Sequence, residues 1–312
     1  MTADRTAVLV MAYGTPRSRD EIEPYYTDIR RGRPPTPDQL ADLSARYEAI
    51  GGLSPLAQRT EAQRFGLQRA LDEREPGRYE VVLGLKHADP KIEATVADLA
   101  DRGFRQIIGL VLAPHYSAYS IGQYLDRARV AAAAFDVDIR VTGVESWAVE
   151  PTFVEFLAAE VVAGLARLPV GTRVLFTAHS LPSRIVAAGD PYPDQLRSTA
   201  EAVAAAVGLT AEQWGIAWQS AGRTPEPWLG PDILEVISAS ADTEVGLLVC
   251  ACGFVSDHLE VLYDLDIEAA HRADQVGLAF GRTGCVNDDP TVLGALADRV
   301  ANLAGPGGVS GA

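Results

Sequence analysis

Residues 173–208 read RVLFTAHSLPSRIVAAGDPYPDQLRSTAEAVAAAVG, and the order of patterns within them decides the fold. Val174-Leu175-Phe176 is an apolar run without polar alternation, the mark of a strand buried on both faces. It leads to His179 and breaks at Ser180-Leu181-Pro182, with Gly189 and Pro191 following. From Pro191 the pattern changes to an amphipathic helix that ends at Gly208. A strand buried on both faces needs helices above and below it, so this strand–break–helix unit predicts a covered parallel sheet.

The same unit recurs on both sides. Strand-like runs at 7–13, 79–86, 106–114, 139–146, 214–221 and 244–253 each lead into a helical pattern, and a last helix runs through DPTVLGALADRVANLA. That repetition predicts an α/β chain folded as two Rossmann-like lobes, each a parallel sheet flanked by helices. The first lobe is expected to span 1–115, joined by the C-terminal helix 288–305, and the second 116–287. The 139–146 strand fits either lobe by pattern and falls in the second with this boundary. Ligands of such folds bind beyond the carboxyl ends of strands. The residues there are Tyr13, Lys86-His87, His115, His179, Gln219-Ser220 and Gly253.

Composition narrows the function. A net charge of −15 and a pI of about 4.7 disfavour nucleic acid and anionic membranes as partners. Lysine occurs only as Lys86 and Lys91, and Arg30, Arg31 and Arg33 form a local basic exception. No apolar run reaches the roughly 18 residues of a membrane span, and MTADRTAVLVMAYG reads as a first strand and not as a signal peptide. Cytoplasmic location and no stable membrane insertion are expected. Cys250, Cys252 and Cys285 cannot all pair, which suits reduced, buried thiols. The chain has no G-x-G-x-x-G, Walker A or G-x-S-x-G pattern, so nucleotide cofactors lack support.

Three features carry candidate chemistry. His179 at a strand tip is a structural turn residue, a base or a metal ligand; the last two need its neutral form. Glu260, Asp264 and Glu268 recur every fourth residue in SDHLEVLYDLDIEAA, with His258 at its start. They form either a solvated acidic helix face or a row of oxygen ligands for a divalent cation. Tyr13, Arg30, Arg31, Arg33, Arg46 and Tyr47 would suit a flat ligand carrying carboxylates, because guanidinium forks match them.

The motifs HSLPSRIVAAGDPYPDQL, VMAYGTP, YEAIGGLSPL, GLKHADP, VLAPHYSAYS, AWQSAGRTPEPWLGPD and GFVSDHLEVLYDLD stand in the same order as in ferrochelatases, and the chain resembles that family over residues 6–300. It is similar in particular to the short ferrochelatases of Gram-positive bacteria, which insert iron into coproporphyrin III. The resemblance implies two lobes with a porphyrin cleft between them. It implies insertion of Fe²⁺ with release of two protons, with Fe²⁺ as a substrate and no required cofactor. It places the catalytic histidine on His179 and its partner glutamate on Glu260, both also as metal ligands. Asp264 and Glu268 continue the metal path on a helix that in relatives contains a π-type turn. Tyr13, Arg30, Arg46, Tyr47, Ser54 and Tyr124 match porphyrin-binding positions, and Lys86, His87 and Trp228 match other positions lining the cleft. Many relatives carry four cysteine ligands for a [2Fe–2S] cluster; this sequence lacks that set, so no cluster is expected. Partners are then coproporphyrin III, Fe²⁺ and, transiently, the preceding or following enzyme of the haem pathway. The alternatives are insertion into protoporphyrin IX, cobalt insertion into sirohydrochlorin, and a non-catalytic tetrapyrrole carrier.

Overall fold

The first apolar run forms β1 (Thr6–Ala12), buried at every position. It pairs in parallel with β2 (Tyr79–Leu85) on one side and β3 (Gln106–Val111) on the other. β4 (Arg140–Val144) adds to β3, giving the order β2-β1-β3-β4. The connections carry α1 (Ile22–Ile29), α2 (Pro37–Ala49), α3 (Leu56–Arg74), α4 (Ile92–Asp101) and α5 (Ile121–Ala132). Thr36 opens α2 with a reciprocal cap, its hydroxyl accepting from Gln39 N while the Gln39 side chain accepts from Thr36 N. This computed structural model describes residues 5–222 and 224–305.

The chain divides into two compact units. The first holds residues up to Ala113, Ala118–Ser146 and the residues from Asn287 on; the second holds Pro114–Ser117 and Trp147–Val286. The sequence reading placed 116–287 together, and the structure moves Ala118–Ser146 to the first unit. The cause is sheet pairing: Gln106 to Leu110 of β3 stand in register with Arg140 to Val144. Small residues also let α5 lie close to this sheet. A Cβ at Gly109 or Gly143 would lie 2.8 or 2.5 Å from a Leu125 methyl group.

β2 is one of the two edge strands of this sheet, and side chains satisfy much of its outward backbone. Gln68 Nε2 donates to Tyr79 O at 3.2 Å, and its Oε1 accepts from Val81 N at 2.8 Å. Arg64 donates to Val81 O, and Thr95 Oγ1 donates to Leu83 O at 2.7 Å.

In the second unit β5 (Arg173–His179) lies between β6 (Trp214–Gln219) and β7 (Gly246–Cys250), and β8 (Ala279–Arg282) adds to β7. All pairs are parallel, in the order β6-β5-β7-β8. The sequence reading did not identify β8. It has four half-buried residues at an edge, too few to show a continuous apolar run. α6 (Pro151–Leu165), α7 (Arg184–Ala187), α8 (Tyr192–Val207) and α9 (Ile233–Ala239) follow the strands. After β7 come α10 (Leu259–Leu262), a π-helical segment (Asp264–Ala269) and α11 (Ala270–Gln275). α12 (Pro290–Ala304) then packs on α3 in the first unit.

The spacing of apolar residues explains the π segment. Val261, Leu265, Ala269 and Ala273 pack into one core with Leu175, Leu247, Val249, Ile233 and Ile237. A strict four-residue repeat drifts by about 40° per step on an α-helix of 3.6 residues per turn. A wider turn corrects the drift: both Ile267 N and Glu268 N donate to Tyr263 O, at 3.2 and 2.9 Å. The acidic repeat Glu260, Asp264, Glu268 precedes each apolar position by one residue and follows the same correction. Among the described residues no helix is long and apolar enough to cross a membrane.

Candidate functional site

β5 carries His179 to the carboxyl end of the second sheet. Gly253, just beyond β7, fixes this tip: its N donates to Thr177 O, and a Cβ on it would lie 2.4 Å from that of Ala178. The Tyr192 hydroxyl, on a buried ring, donates to His179 O at 3.0 Å. His179 Nδ1 lies 2.5 Å from Ser180 O, so Nδ1 bears hydrogen and donates. Nε2 is therefore the nitrogen free to exchange a proton, and it faces Glu260 Oε1 at 3.6 Å. Both side chains remain open, at 34% and 40% exposed.

Glu260 is shared between two imidazoles, since His258 Nε2 lies 3.5 Å from its Oε2. Burial opposes charge on His179, but the Glu260 carboxylate, the Ser180 carbonyl and Asp264 outweigh it and raise the imidazole's pKa above the ordinary value. Burial likewise favours the neutral form of Glu260, and His179 and His258 overcome it, holding the carboxyl well below the usual range. The sequence reading required a neutral His179. Glu260 instead biases it toward the charged form.

The tip of β6 supports the acidic partner. Buried Gln219 accepts from Thr177 Oγ1 at 2.9 Å and donates to the Glu260 carbonyl at 3.1 Å. Ser220 adopts a left-handed conformation, φ 60°, unusual for a residue with a Cβ. Its hydroxyl donates to Asp264 Oδ2 at 2.5 Å. Asp264 is thus buried and bonded, not part of a uniformly solvated face, whereas Glu268 is exposed. Phe254 packs at a tilt beside both histidines, with centroids 6.5 Å from His179 and 5.0 Å from His258.

A second group of side chains forms at the carboxyl end of the first sheet. Tyr13, just past β1, is 41% exposed and packs its ring 4.5 Å from that of His87. Tyr25 meets Tyr13 edge-on and donates its hydroxyl to Gly14 O. Asp28 lies 2.7 Å from His87 Nδ1 and 2.8 Å from Lys91 Nζ. Burial lowers the His87 pKa to about 4 despite Asp28, so this imidazole is neutral near pH 7. Lys86 donates to Gln123 and lies over the Tyr124 ring; burial, Arg127 and Arg31 lower its pKa to about 8.

The remaining candidates differ in accessibility. Arg30 stacks over Tyr26 and donates to Arg33 O. Arg46 pairs with Asp42 at 3.5 Å. Tyr47 and Tyr124 are buried, with the Tyr47 hydroxyl 3.5 Å from that of Thr15. Ser54 accepts from Leu56 N, which leaves its own O–H as a donor. In the second unit Trp228 donates to Thr224. Cys250, Cys252 and Cys285 are buried free thiols, and burial pushes Cys252 and Cys285 toward the protonated form. Among the described residues no three or more His, Cys, Asp or Glu side chains converge as a metal cage.

Sequence reasoning missed Phe254 and Tyr192, and it noted Gln219 and Ser220 only as strand-end residues. The strand-end rule could have promoted those two. Nothing in the sequence signals the bond from Tyr192 to the His179 carbonyl.

Comparison with known proteins identifies the family and the fold. The sequence model of the family described as ferrochelatase matches residues 5–304. The ferrochelatase of Herpetosiphon aurantiacus is 44% identical over 297 residues, 94% of this chain and 97% of that protein. The coproporphyrin III ferrochelatase of Halalkalibacterium halodurans is 43% identical over 302 residues, 95% of this chain and 96% of that one. Among solved structures, the sirohydrochlorin chelatase SirB from Bacillus subtilis subspecies spizizenii, in complex with cobalt, aligns with a TM-score of 0.56 at 12% identity. The alignment covers 96% of this chain and 95% of SirB, and it shows a shared fold.

Proposed function

The chain belongs to the ferrochelatase family, and on that premise we propose that it inserts Fe²⁺ into coproporphyrin III in haem synthesis, with release of two protons. The observation that carries this reading is the pairing of His179 with Glu260 at the carboxyl end of β5. Metal insertion needs a proton acceptor for the pyrrole N–H groups and donors that replace water on the metal. His179 Nε2 and Glu260 supply both.

The electrostatics suggest how the two tasks are linked. Glu260 stabilises the proton on His179. A divalent cation bound by Glu260 would neutralise that influence, and the imidazole would then revert to its basic form as metal arrives. Asp264, held by Ser220, and exposed Glu268 extend the carboxylate path. Gln219 fixes the Glu260 backbone. Tyr13, on its His87 platform, offers an aromatic face for the porphyrin.

The test is optical. Purified protein mixed anaerobically with Fe²⁺ and coproporphyrin III should convert many equivalents, followed at the Soret band. A shift that stops at one equivalent would indicate a carrier and refute the proposal.

We further propose that coproporphyrin III is preferred to protoporphyrin IX. Coproporphyrin carries four propionates and protoporphyrin two, and Arg30, Arg46, Ser54 and Tyr124 are the candidate donors. A hydrogen bond to a charged group contributes about 1.5–3 kcal/mol; Arg46 is partly exposed, which discounts its share. Even so, two lost contacts correspond to about tenfold or more in kcat/KM at about 1.4 kcal/mol per decade. Arg46→Ala should narrow the discrimination. Equal efficiency with both porphyrins, measured in matched detergent, would remove the preference.

The protein is further proposed to act in the cytoplasm, without a stable membrane anchor and with transient contact to a neighbouring pathway enzyme. It is proposed to need no iron–sulfur cluster. Cys250, Cys252 and Cys285 are buried free thiols, and burial holds Cys252 and Cys285 toward the protonated form, which supports this. Anaerobically purified protein should lack the visible bands of a [2Fe–2S] centre, and stoichiometric acid-labile sulfide would overturn the expectation.

A further inference from the structure

From the geometry around β8 we infer that Arg282 is a positioning residue for the metal-handling segment, an inference that rests on the reading of that segment under Proposed function. Arg282 ends the edge strand β8, in register with Val249 of β7. Its guanidinium forks onto Asp266, with Nε 2.6 Å from Oδ1 and Nη2 2.9 Å from Oδ2. Nη2 also reaches Asp257 Oδ1 at 3.2 Å, and Nη1 donates to Thr283 O at 3.0 Å.

The positions of the two carboxylates matter. Asp257 immediately precedes His258, and Asp266 lies in the π segment between Asp264 and Glu268. One guanidinium therefore ties together the two ends of the stretch that presents His258, Glu260 and Asp264. The core holds the inner face of this stretch through Val261 and Leu265, and the β6 tip holds it at Glu260 O and Asp264. Arg282 supplies the outer restraint.

This is not an ordinary surface ion pair. Asp266 is 39% exposed, but the Arg282 side chain is only 17% exposed, its fork is two-pronged, and it engages a second, half-buried carboxylate, Asp257, and a carbonyl. Isolated exposed pairs contribute little because solvent screens them and long side chains lose freedom. A planar guanidinium held by several acceptors sets the direction of the backbone that carries those acceptors. π turns are rare and occur mostly as single-turn bulges within α-helices, frequently at functional sites.

The experiment compares Arg282→Lys, which keeps the charge and loses the fork, with Asp266→Asn, which keeps the shape and loses the charge. Zn²⁺ titrated calorimetrically into porphyrin-free protein reads metal affinity without turnover. Insertion kinetics give kcat and KM, and thermal unfolding reads folding. Each variant should weaken Zn²⁺ binding and lower kcat by about ten- to a hundredfold, the usual range for groups that orient ligands, with KM for porphyrin unchanged. The double variant should be no worse than the worse single one. A lower melting temperature with wild-type Zn²⁺ affinity and kcat would make Arg282 merely structural and overturn the inference. If the wild type inserts no metal yet Arg282→Lys loses Zn²⁺ affinity, the positioning role stands and the proposed function fails. Should Arg282→Lys not fold, Asp266→Asn decides by the same readings.

Discussion

His179→Ala is expected to slow metal insertion by about a hundred- to ten-thousandfold, the range for removal of a general base, while coproporphyrin still binds. The side chain is partly exposed, and the backbone it leaves behind is anchored independently by Tyr192, Gly253 and Gln219. Little collapse of the strand tip should follow. Porphyrin affinity from fluorescence quenching should stay within about threefold of wild type, which separates loss of chemistry from loss of the binding surface. Near-normal turnover in this variant would show that the imidazole neither takes protons nor holds metal.

Glu260→Gln should lower turnover by about a hundredfold and also change its pH dependence. The wild-type imidazole has a raised pKa because Glu260, with the Ser180 carbonyl and Asp264, together outweigh burial. Without that charge, the main influence opposing burial is lost and the pKa falls. If the reaction uses neutral His179, activity rises with pH as the imidazole loses its proton. The acid limb of kcat/KM should therefore move to lower pH in the variant, although its plateau is reduced. An unmoved limb would assign the titration to another group. Asp264→Asn and Glu268→Gln should act mainly on KM for metal, and a loss at either equal to that at Glu260 would contradict a graded path.

Much of this architecture was legible in the sequence because the strands are buried on both faces. Runs such as Val174-Leu175-Phe176 have no solvent-facing alternation, and their polar ends locate the sheet's carboxyl edge. β8 was not legible, since four half-buried edge residues carry little periodic signal. The assignment of Ala118–Ser146 was not legible either, because the choice of partner for β4 depends on sheet register and on the fit of Leu125 over two glycines.

The candidate site was legible to a similar depth. His179 was exposed by the strand-end pattern and the acidic row by its spacing. Its partnering with Glu260 and the other residue matches came from family likeness. The four-residue repeat was visible, but its consequence, a π segment that keeps apolar and acidic residues in line, follows only when the core contacts are counted with it. The raised pKa of His179, the bond from Ser220 to Asp264 and the Arg282 fork depend on groups brought together from distant parts of the chain.

The side chains along β2 bear on how the protein behaves at high concentration. An outer strand with bare amides is a template on which another chain can grow a sheet. Gln68 takes the place of that incoming strand, donating to Tyr79 O and accepting from Val81 N, while Arg64 and Thr95 occupy the next carbonyls. Three side chains thereby occupy backbone groups that an incoming strand would need along this border.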